Sequence, residues 1–185
     1  KPDGLRLRYI TSSGGKIPQA VLEAMPQALP GVEIFLTYGL TESFRSAFLP
    51  PDKFLSKMGS IGKACDNVDI FVLGEHGRIC GPGEQGELVH RGSLVTMGYW
   101  RNREASDEVI RECEPLRHLI GDEKVHYTGD IVRIDEDGYL WFIGRDDAMI
   151  ELDLAGEIRG AHRPRPSFAY LPSMLYTSRA LPGSL

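Results

Sequence analysis

The sequence predicts an α/β fold: a βαβ unit, then a small antiparallel β subdomain like a barrel, then an irregular tail. Three observations support this. Two strand patterns flank one helical pattern over residues 5–36. Short strands separated by glycine-rich turns follow from residue 68, which is typical of antiparallel sheets. Residues 151–185 carry scattered proline and arginine with no sustained period, which is typical of poor order.

The βαβ unit is predicted from its alternation and its breakers. Residues 5–10 alternate apolar and charged side chains, as a half-buried strand does. Pro18 suits a first helical position, and the helical spacing behind it ends before Pro30-Gly31. Residues 32–36 then form the second strand, and residues 43–66 are predicted to be loop-like. Both connecting loops are therefore expected at one end of a parallel strand pair.

The antiparallel subdomain is predicted from strands at close spacing. Strands are expected over residues 68–73, 87–92, 126–134 and 139–143, with a short helix over 104–110. The Asp137-Gly138 pair between two alternating segments is the strongest hairpin signal in the chain. The expected division is an α/β portion over 1–66, a β subdomain over 67–150 and the tail over 151–185.

Composition excludes several classes of protein. The 185 residues carry a net charge of −5, whereas nucleic-acid and membrane-surface binders usually show a basic patch. No apolar run is long enough to cross a bilayer, and the polar N-terminus is unlike a signal peptide. The cysteines form no C-x-x-C pair, so a reducing, cytoplasmic setting is expected. The histidines have no metal-ligand spacing, so a zinc site is not expected.

The turn after the second predicted strand carries side chains that suit a nucleotide. Tyr38 offers a flat ring, Gly39 allows close backbone approach, Thr41 offers a hydroxyl and Glu42 a carboxylate. Ligands of open α/β sheets bind beyond the carboxyl ends of the strands, where this turn lies. An ordinary structural turn has the same composition, and these residues alone leave both interpretations open. The Gly14-Gly15 loop is equally compatible with a tight turn or with ligand approach.

An ordered series of motifs makes the pattern specific. In chain order they are Gly14-Gly15, Tyr38-Gly39-Leu40-Thr41-Glu42, Gly86-Glu87-Leu88, Gly98-Tyr99-Trp100, Tyr127-Thr128-Gly129-Asp130 and Gly144-Arg145-Asp146-Asp147. Over about residues 5–150 this series resembles the adenylate-forming, or AMP-binding, superfamily. Leu40 stands where peptide synthetases usually have Pro, which favours the acyl-CoA synthetase (ligase) branch. The family's phosphate loop and C-terminal domain match nothing here, so a partial chain is expected.

The resemblance implies a two-step reaction on ATP. A carboxylic acid, here an acyl or fatty acid, forms an acyl-adenylate, and coenzyme A then takes the acyl group and releases AMP. The resemblance places adenine between Gly14-Gly15 and Tyr38, with Gly39 in the same nucleotide-binding turn. It places Asp130 on the ribose hydroxyls, a charge-assisted contact, and Arg145 on the other side of the ribose.

The resemblance also assigns the phosphate end of the site and a hinge. Thr41 would bond the α-phosphate and Glu42 would help to hold Mg²⁺; these two are the expected catalytic residues. Asp147 matches the hinge about which the C-terminal domain turns. The expected function is that of an AMP-forming acyl-CoA ligase fragment, inactive alone and dependent on missing domains of the parent enzyme. Two alternatives stay open at this point: a non-catalytic adenine-nucleotide-binding module and a truncated remnant.

Overall fold

A four-stranded sheet forms the first part of the fold. The computed structural model describes residues 6–146, 150–152 and 158–161. The sheet has the order β1-β2-β3-β4, and β1 is parallel to β2 while the other pairs are antiparallel. Its elements are β1 (Tyr9–Ser12), α1 (Gln19–Ala28), β2 (Glu33–Tyr38), β3 (Ala47–Leu49) and β4 (Lys63–Ala64). The crossover helix α1 completes the predicted βαβ unit.

A five-stranded antiparallel sheet forms the second part. Its strands are β5 (Val68–Leu73), β6 (Gln85–Gly92), β7 (Ile110–Glu112), β8 (Lys124–Ile134) and β9 (Leu140–Arg145). The order is β5-β6-β8-β7, with β9 also paired to β8. The β8–β9 connection is the predicted Asp-Gly hairpin, in which the Gly138 amide donates to Asp135 O at 2.9 Å. The α/β class and the antiparallel character of the second part are thereby confirmed.

Short elements connect the strands. The remaining helices are α2 (Arg103–Val109) and α3 (Arg117–Ile120). Single 3₁₀ turns cover Pro51–Lys53, Glu75–Gly77 and Glu114–Leu116. A separate antiparallel pair joins β10 (Ile150–Leu152) to β11 (Ile158–Ala161). All of this pair except Ile150 lies inside residues 151–185, which were predicted to be irregular. The rest of that tail lies outside the described residues.

Several predicted boundaries were wrong. Strand β1 begins at Tyr9 and extends through Ser12, because its partners in the parallel register run from Glu33 to Leu36. Strand β2 continues to Tyr38, so Tyr38 lies in a strand and not in the turn beyond it. Residues 43–66 contain β3 and β4, although they were predicted to be loop-like. These strands of three and two residues are too short for alternation to show in the sequence.

The two sheets share a core. One apolar cluster packs α1 against the first sheet and includes Tyr139 from the second part of the chain. Another cluster is centred on Leu88 and Val132, both 0% exposed, and Tyr38 from β2 packs against it. This packing holds β2 beside β8. The predicted domain boundary between residues 66 and 67 falls between the last strand of the first sheet and the first strand of the second. The two sheets nevertheless share apolar clusters, and the division into domains stays a prediction.

Candidate functional site

The centre of the candidate site is the carboxylate of Asp130. Asp130 lies on β8 directly opposite Arg145 on β9, and it is only 5% exposed. Its Oδ2 accepts a hydrogen bond from the Tyr38 phenol at 2.5 Å. Its Oδ1 lies 3.0 Å from Arg145 Nη1. Three of the residues singled out in the sequence are therefore brought together, although they come from β2, β8 and β9.

Electrostatics keep the Tyr38 phenol protonated. Burial, together with the negative charge of Asp130, raises the pKa of the Tyr38 phenol far above its usual range. The phenol therefore remains protonated and donates to Asp130 throughout the physiological range. Arg145 also donates to Thr128 O at 3.2 Å, and its side chain is 38% exposed. The buried Asp130 carboxylate thus contacts a half-buried donor, the Tyr38 phenol, and a donor that reaches solvent, the Arg145 guanidinium.

The Thr128-Gly129-Asp130 sequence shapes β8 at this point. Gly129 has a φ of 71°, a conformation that glycine adopts without strain. The pairing of β8 with β6 shifts register across this segment, and the pairing of β8 with β9 shifts just after it, between Ile131 and Val132; such bulges redirect side chains. The Thr128 hydroxyl donates to Leu88 O at 2.7 Å and accepts from Asp130 N at 3.0 Å. Glu87 accepts from Gly129 N at 2.9 Å. These hydrogen bonds fix the backbone of β8 at Asp130.

The loop over residues 39–46 carries Thr41 and Glu42. A Cβ on Gly39 would lie 2.2 Å from Arg45 N, so the close approach that this glycine permits is to the loop itself. Leu40 N donates to Ser43 O at 3.1 Å and closes the turn. Thr41 is exposed and Glu42 is half-buried. The loop thus presents one hydroxyl and one carboxylate on a tightly folded backbone.

Glu42 is held from the second part of the chain. Its carboxylate accepts a hydrogen bond from the Tyr99 phenol. Its carbonyl oxygen accepts from Thr96 N at 2.8 Å. Burial and the hydrogen bond to Glu42 raise the pKa of Tyr99 above its usual range, which keeps this phenol a donor. Tyr99 belongs to the Gly98-Tyr99-Trp100 motif, but its contact with Glu42 was not predicted because it joins residues far apart in the sequence.

Gly14 and Gly15 lie just beyond the carboxyl end of β1. Strand β1 is parallel to β2, so this loop and the 39–46 loop follow neighbouring strands at the same edge of the sheet. Thr37 Oγ1 donates to Ser12 O at 2.9 Å and ties the two strand ends together. A Cβ at either glycine would meet nothing within 4 Å. The surface at this loop is therefore open. Asp147, the predicted hinge, lies outside the described residues.

A buried polar cluster behind the loop was missed by sequence reasoning. Ser43 Oγ lies 2.6 Å from His90 Nδ1 and 2.9 Å from His126 Nδ1. Ser46 Oγ lies 3.2 Å from His90 Nε2. Burial, and to a lesser degree the neighbouring His126, lowers the pKa of His90 to about 3. His90 and His126 are direct partners in the β6–β8 register, so only knowledge of that pairing could have revealed the cluster.

Glu42 is the carboxylate of the candidate site that was predicted to hold a metal ion. The described part of the chain holds no group of three or more His, Cys, Asp or Glu residues that could bind a metal ion. Mg²⁺ is commonly bound by one or two carboxylates together with substrate phosphates and water. The half-buried Glu42 carboxylate, next in the chain to the exposed Thr41, suits a Mg²⁺ site of this kind.

Comparison with known proteins identifies the family. A family model described as "AMP-binding enzyme" matches residues 1–100. The 2-succinylbenzoate–CoA ligase of Geobacillus kaustophilus is 35% identical over 150 residues, which are 80% of this chain and 27% of that enzyme. The long-chain-fatty-acid–CoA ligase of Salmonella typhimurium is 32% identical over 77% of this chain and 23% of that enzyme. The chain therefore spans about a quarter of the length of these relatives.

A solved structure supports the same assignment. The o-succinylbenzoate–CoA synthetase of Bacillus subtilis in complex with AMP has a TM-score of 0.64 and 27% identity, covering 82% of this chain and 28% of that one. The same enzyme was also solved with ATP and a magnesium ion. The chain belongs to the AMP-binding, adenylate-forming enzyme family, as its motif order predicted, and its relatives named above are CoA ligases.

Two further observations concern the setting of the protein. Cys65, Cys80 and Cys113 are free thiols. No helix among the described residues combines the length and apolar character that crossing a membrane requires. The cytoplasmic setting stays a prediction.

Proposed function

We propose that this chain supplies the adenosine-binding part of an AMP-forming acid–thiol ligase of the acyl-CoA synthetase type. The observation that carries the proposal is the buried Asp130 carboxylate, fixed between Tyr38 and the partly exposed Arg145. A carboxylate has lone pairs for about four hydrogen bonds. In this proposal the ribose hydroxyls donate to the same carboxylate that Tyr38 and Arg145 contact. The family membership and the AMP-bound relative support adenosine as the ligand.

The remaining residues of the adenosine end take complementary roles in this proposal. The open loop at Gly14 and Gly15 and the ring of Tyr38 bound the slot for adenine, since a flat base needs surfaces without side-chain bulk. Arg145 contacts the ribose from the solvent side, because its side chain is the exposed partner of Asp130. Gly39 contributes indirectly by allowing the tight fold of the loop that follows Tyr38.

The phosphate end of the proposed site lies in the 39–46 loop. Thr41 donates its hydroxyl to an α-phosphate oxygen, and Glu42 contributes a carboxylate for Mg²⁺. When bound, Mg²⁺ offsets the charge that develops on the phosphates. The Tyr99 phenol orients the Glu42 carboxylate by its hydrogen bond. Asp147 is proposed as the hinge by its place in the motif alone.

In the proposed reaction, a carboxylate oxygen of the acid attacks the α-phosphorus of ATP. The bond from that phosphorus to the bridging oxygen breaks, and pyrophosphate leaves. In the second step the sulfur of coenzyme A attacks the acyl carbon, the acyl–oxygen bond breaks, AMP leaves with the electron pair, and the thiol proton passes to solvent. The relatives named above suggest an acyl or aryl acid as substrate. In this chain, Asp130, Tyr38 and Arg145 hold the adenosine still during both steps.

The proposal is tested by ribose selectivity. We expect the chain to bind AMP more tightly than 2′,3′-dideoxy-AMP, because only AMP carries the hydroxyls that Asp130 accepts. Hydrogen bonds to a charged group contribute about 1.5–3 kcal/mol each, so a preference of about tenfold or more is expected. Asp130→Asn should remove most of this preference. Calorimetric titration of both nucleotides measures it.

Asp69→Asn is the matched control. Asp69 is also an aspartate paired with an arginine, Arg91, at 2.6 Å, but it lies outside the proposed site. This variant should retain the preference for AMP. Equal affinity of the unaltered chain for the two nucleotides, or a preference that survives Asp130→Asn, would refute the assignment of Asp130 to the ribose.

A further inference from the structure

The buried cluster behind the 39–46 loop forms a continuous hydrogen-bonded chain. It runs from Ser46 to His90, from His90 to Ser43 and from Ser43 to His126. These four side chains are 0%, 0%, 0% and 2% exposed. Buried polar groups of this kind are costly when they lose their partners. The cluster is therefore strongly constrained to this arrangement.

The Ser43 hydroxyl can serve both histidines at once. The Nδ1 atoms of His90 and His126 both lie within hydrogen-bond distance of it. A hydroxyl has one proton to donate and two lone pairs to accept, so it can bond two imidazoles in any combination of tautomers that includes at least one Nδ1–H donor. The lowered pKa of His90, caused mainly by burial, is consistent with a neutral ring.

The cluster joins the loop to the sheet that carries Asp130. Ser43 and Ser46 belong to the loop that presents Thr41 and Glu42, whereas His90 lies on β6 and His126 on β8. His126 precedes Asp130 on the same strand. Ser43 also forms an isolated antiparallel β-bridge with Val95. The position of the loop relative to Asp130 therefore depends on hydrogen bonds made by Ser43.

We propose that Ser43, His90 and His126 are positioning residues that hold Thr41 and Glu42 at the correct distance from Asp130. The proposal rests on the proposed function, because it concerns the same nucleotide. It states that the phosphate end of the nucleotide depends on this cluster and the adenosine end does not. Tyr38 and Asp130 lie in strands with their own ladder hydrogen bonds, whereas Thr41 and Glu42 lie in the loop that the cluster fastens.

The test compares the affinities of adenosine and Mg·ATP. In the unaltered chain, Mg·ATP should bind more tightly, because Thr41 and Glu42 act only on phosphates and metal. Ser43→Ala should weaken Mg·ATP by about tenfold, the factor that corresponds to one lost hydrogen-bonded contact, and adenosine by less than about twofold. Calorimetric titration gives both constants, and thermal melting verifies that each variant unfolds cooperatively.

A pair of histidine variants separates positioning from packing. The amide of asparagine can donate or accept near the place of an imidazole Nδ1, so His126→Asn can keep the contact with Ser43. His126→Leu cannot keep it. We expect His126→Asn to retain the preference for Mg·ATP and His126→Leu to lose it. If Ser43→Ala does not fold, this pair decides the question, since an equal preference in both variants overturns the proposal.

Ser60→Ala is the control for general destabilisation. Ser60 is 2% exposed, donates to Leu140 O at 2.7 Å and accepts from Gly62 N at 2.9 Å, at the end of β9 remote from Arg145. Ser60→Ala should leave the ratio of the Mg·ATP affinity to the adenosine affinity unchanged. A fall in that ratio equal to the fall in Ser43→Ala would overturn the positioning role. An unaltered chain that binds no adenosine would instead overturn the proposed function, and this proposal with it.

Discussion

Replacing Tyr38 by phenylalanine removes one atom from the centre of the site and leaves its packing intact. The phenol donates to Asp130 Oδ2 at 2.5 Å, and the acceptor is a carboxylate that is 5% exposed. Hydrogen bonds to charged groups contribute about 1.5–3 kcal/mol. Arg145 still neutralises Asp130 in the variant, which limits the loss. We therefore expect Tyr38→Phe to lower the free energy of unfolding by about 1.5–2.5 kcal/mol.

The loss in the free energy of unfolding is measured by urea unfolding and by thermal melting, both followed by circular dichroism. For a chain of this size each kcal/mol shifts the melting midpoint by about 2–4 °C, so a fall of roughly 3–10 °C is expected. The slope of the unfolding free energy against urea should not change, because the folded surface is the same. Tyr9→Phe is the control: Tyr9 is 53% exposed, and its substitution should change stability by less than about 0.5 kcal/mol.

A double-mutant cycle isolates the contact itself. Asp130→Asn and the double variant complete the cycle with Tyr38→Phe. We expect a coupling energy of about 1 kcal/mol or more, which is typical of residues in direct contact. Additive effects, or a Tyr38→Phe change no larger than that of Tyr9→Phe, would refute the reasoning that this hydrogen bond organises the site.

Two further predictions concern the cluster and the loop. The pKa of His90 is lowered from 6.5 to about 3, so as the pH falls this histidine takes up a proton in the unfolded chain before it does so in the folded chain. The contribution of neutral His90 to the free energy of unfolding is therefore complete above pH 6.5. It falls by roughly 1.4 kcal/mol per pH unit as the pH drops toward 3. Urea unfolding between pH 7 and 4.5 should show this slope in the unaltered chain and in His118→Gln, where the histidine is exposed, and a shallower slope in His90→Gln. Gly39→Ala should cost about 1–3 kcal/mol, because the added Cβ would lie 2.2 Å from Arg45 N, whereas Gly15→Ala meets nothing within 4 Å and should be nearly neutral in the same assay. Equal effects of the two glycine substitutions would contradict the tight loop.

The sequence carries the local parts of this fold clearly. The Asp137-Gly138 hairpin, the helix behind Pro18 and the strands β5 and β8 follow from short-range spacing and turn chemistry, and the structure has each of them. Strands β3 and β4 were missed because strands this short exist only through pairing with β2 and with each other. Pairing of this kind is a property of the folded chain and leaves little periodic signal.

The candidate site likewise has features that the sequence predicts and features that arise only in the folded chain. Tyr38, Asp130 and Arg145 could be named from their motifs, but their mutual contacts depend on β2 lying beside β8. The close backbone approach at Gly39 was predicted, but the sequence could not show that the approaching backbone is that of Arg45, because this depends on how the loop folds. The pairing of His90 with His126 could not be predicted at all, because it depends on the register between two strands that are not consecutive in sequence.

The most direct test of the central claim is the melting temperature of the chain as AMP is added. A ligand that binds only the folded state stabilises it by RT ln(1 + [L]/Kd), which is about 2.7 kcal/mol at a hundredfold excess over Kd. The account predicts a cooperative transition whose midpoint rises with AMP concentration, by roughly 5–10 °C at that excess. A cooperative transition that does not move at millimolar AMP would contradict the claim that Asp130, Tyr38 and Arg145 form an adenosine site.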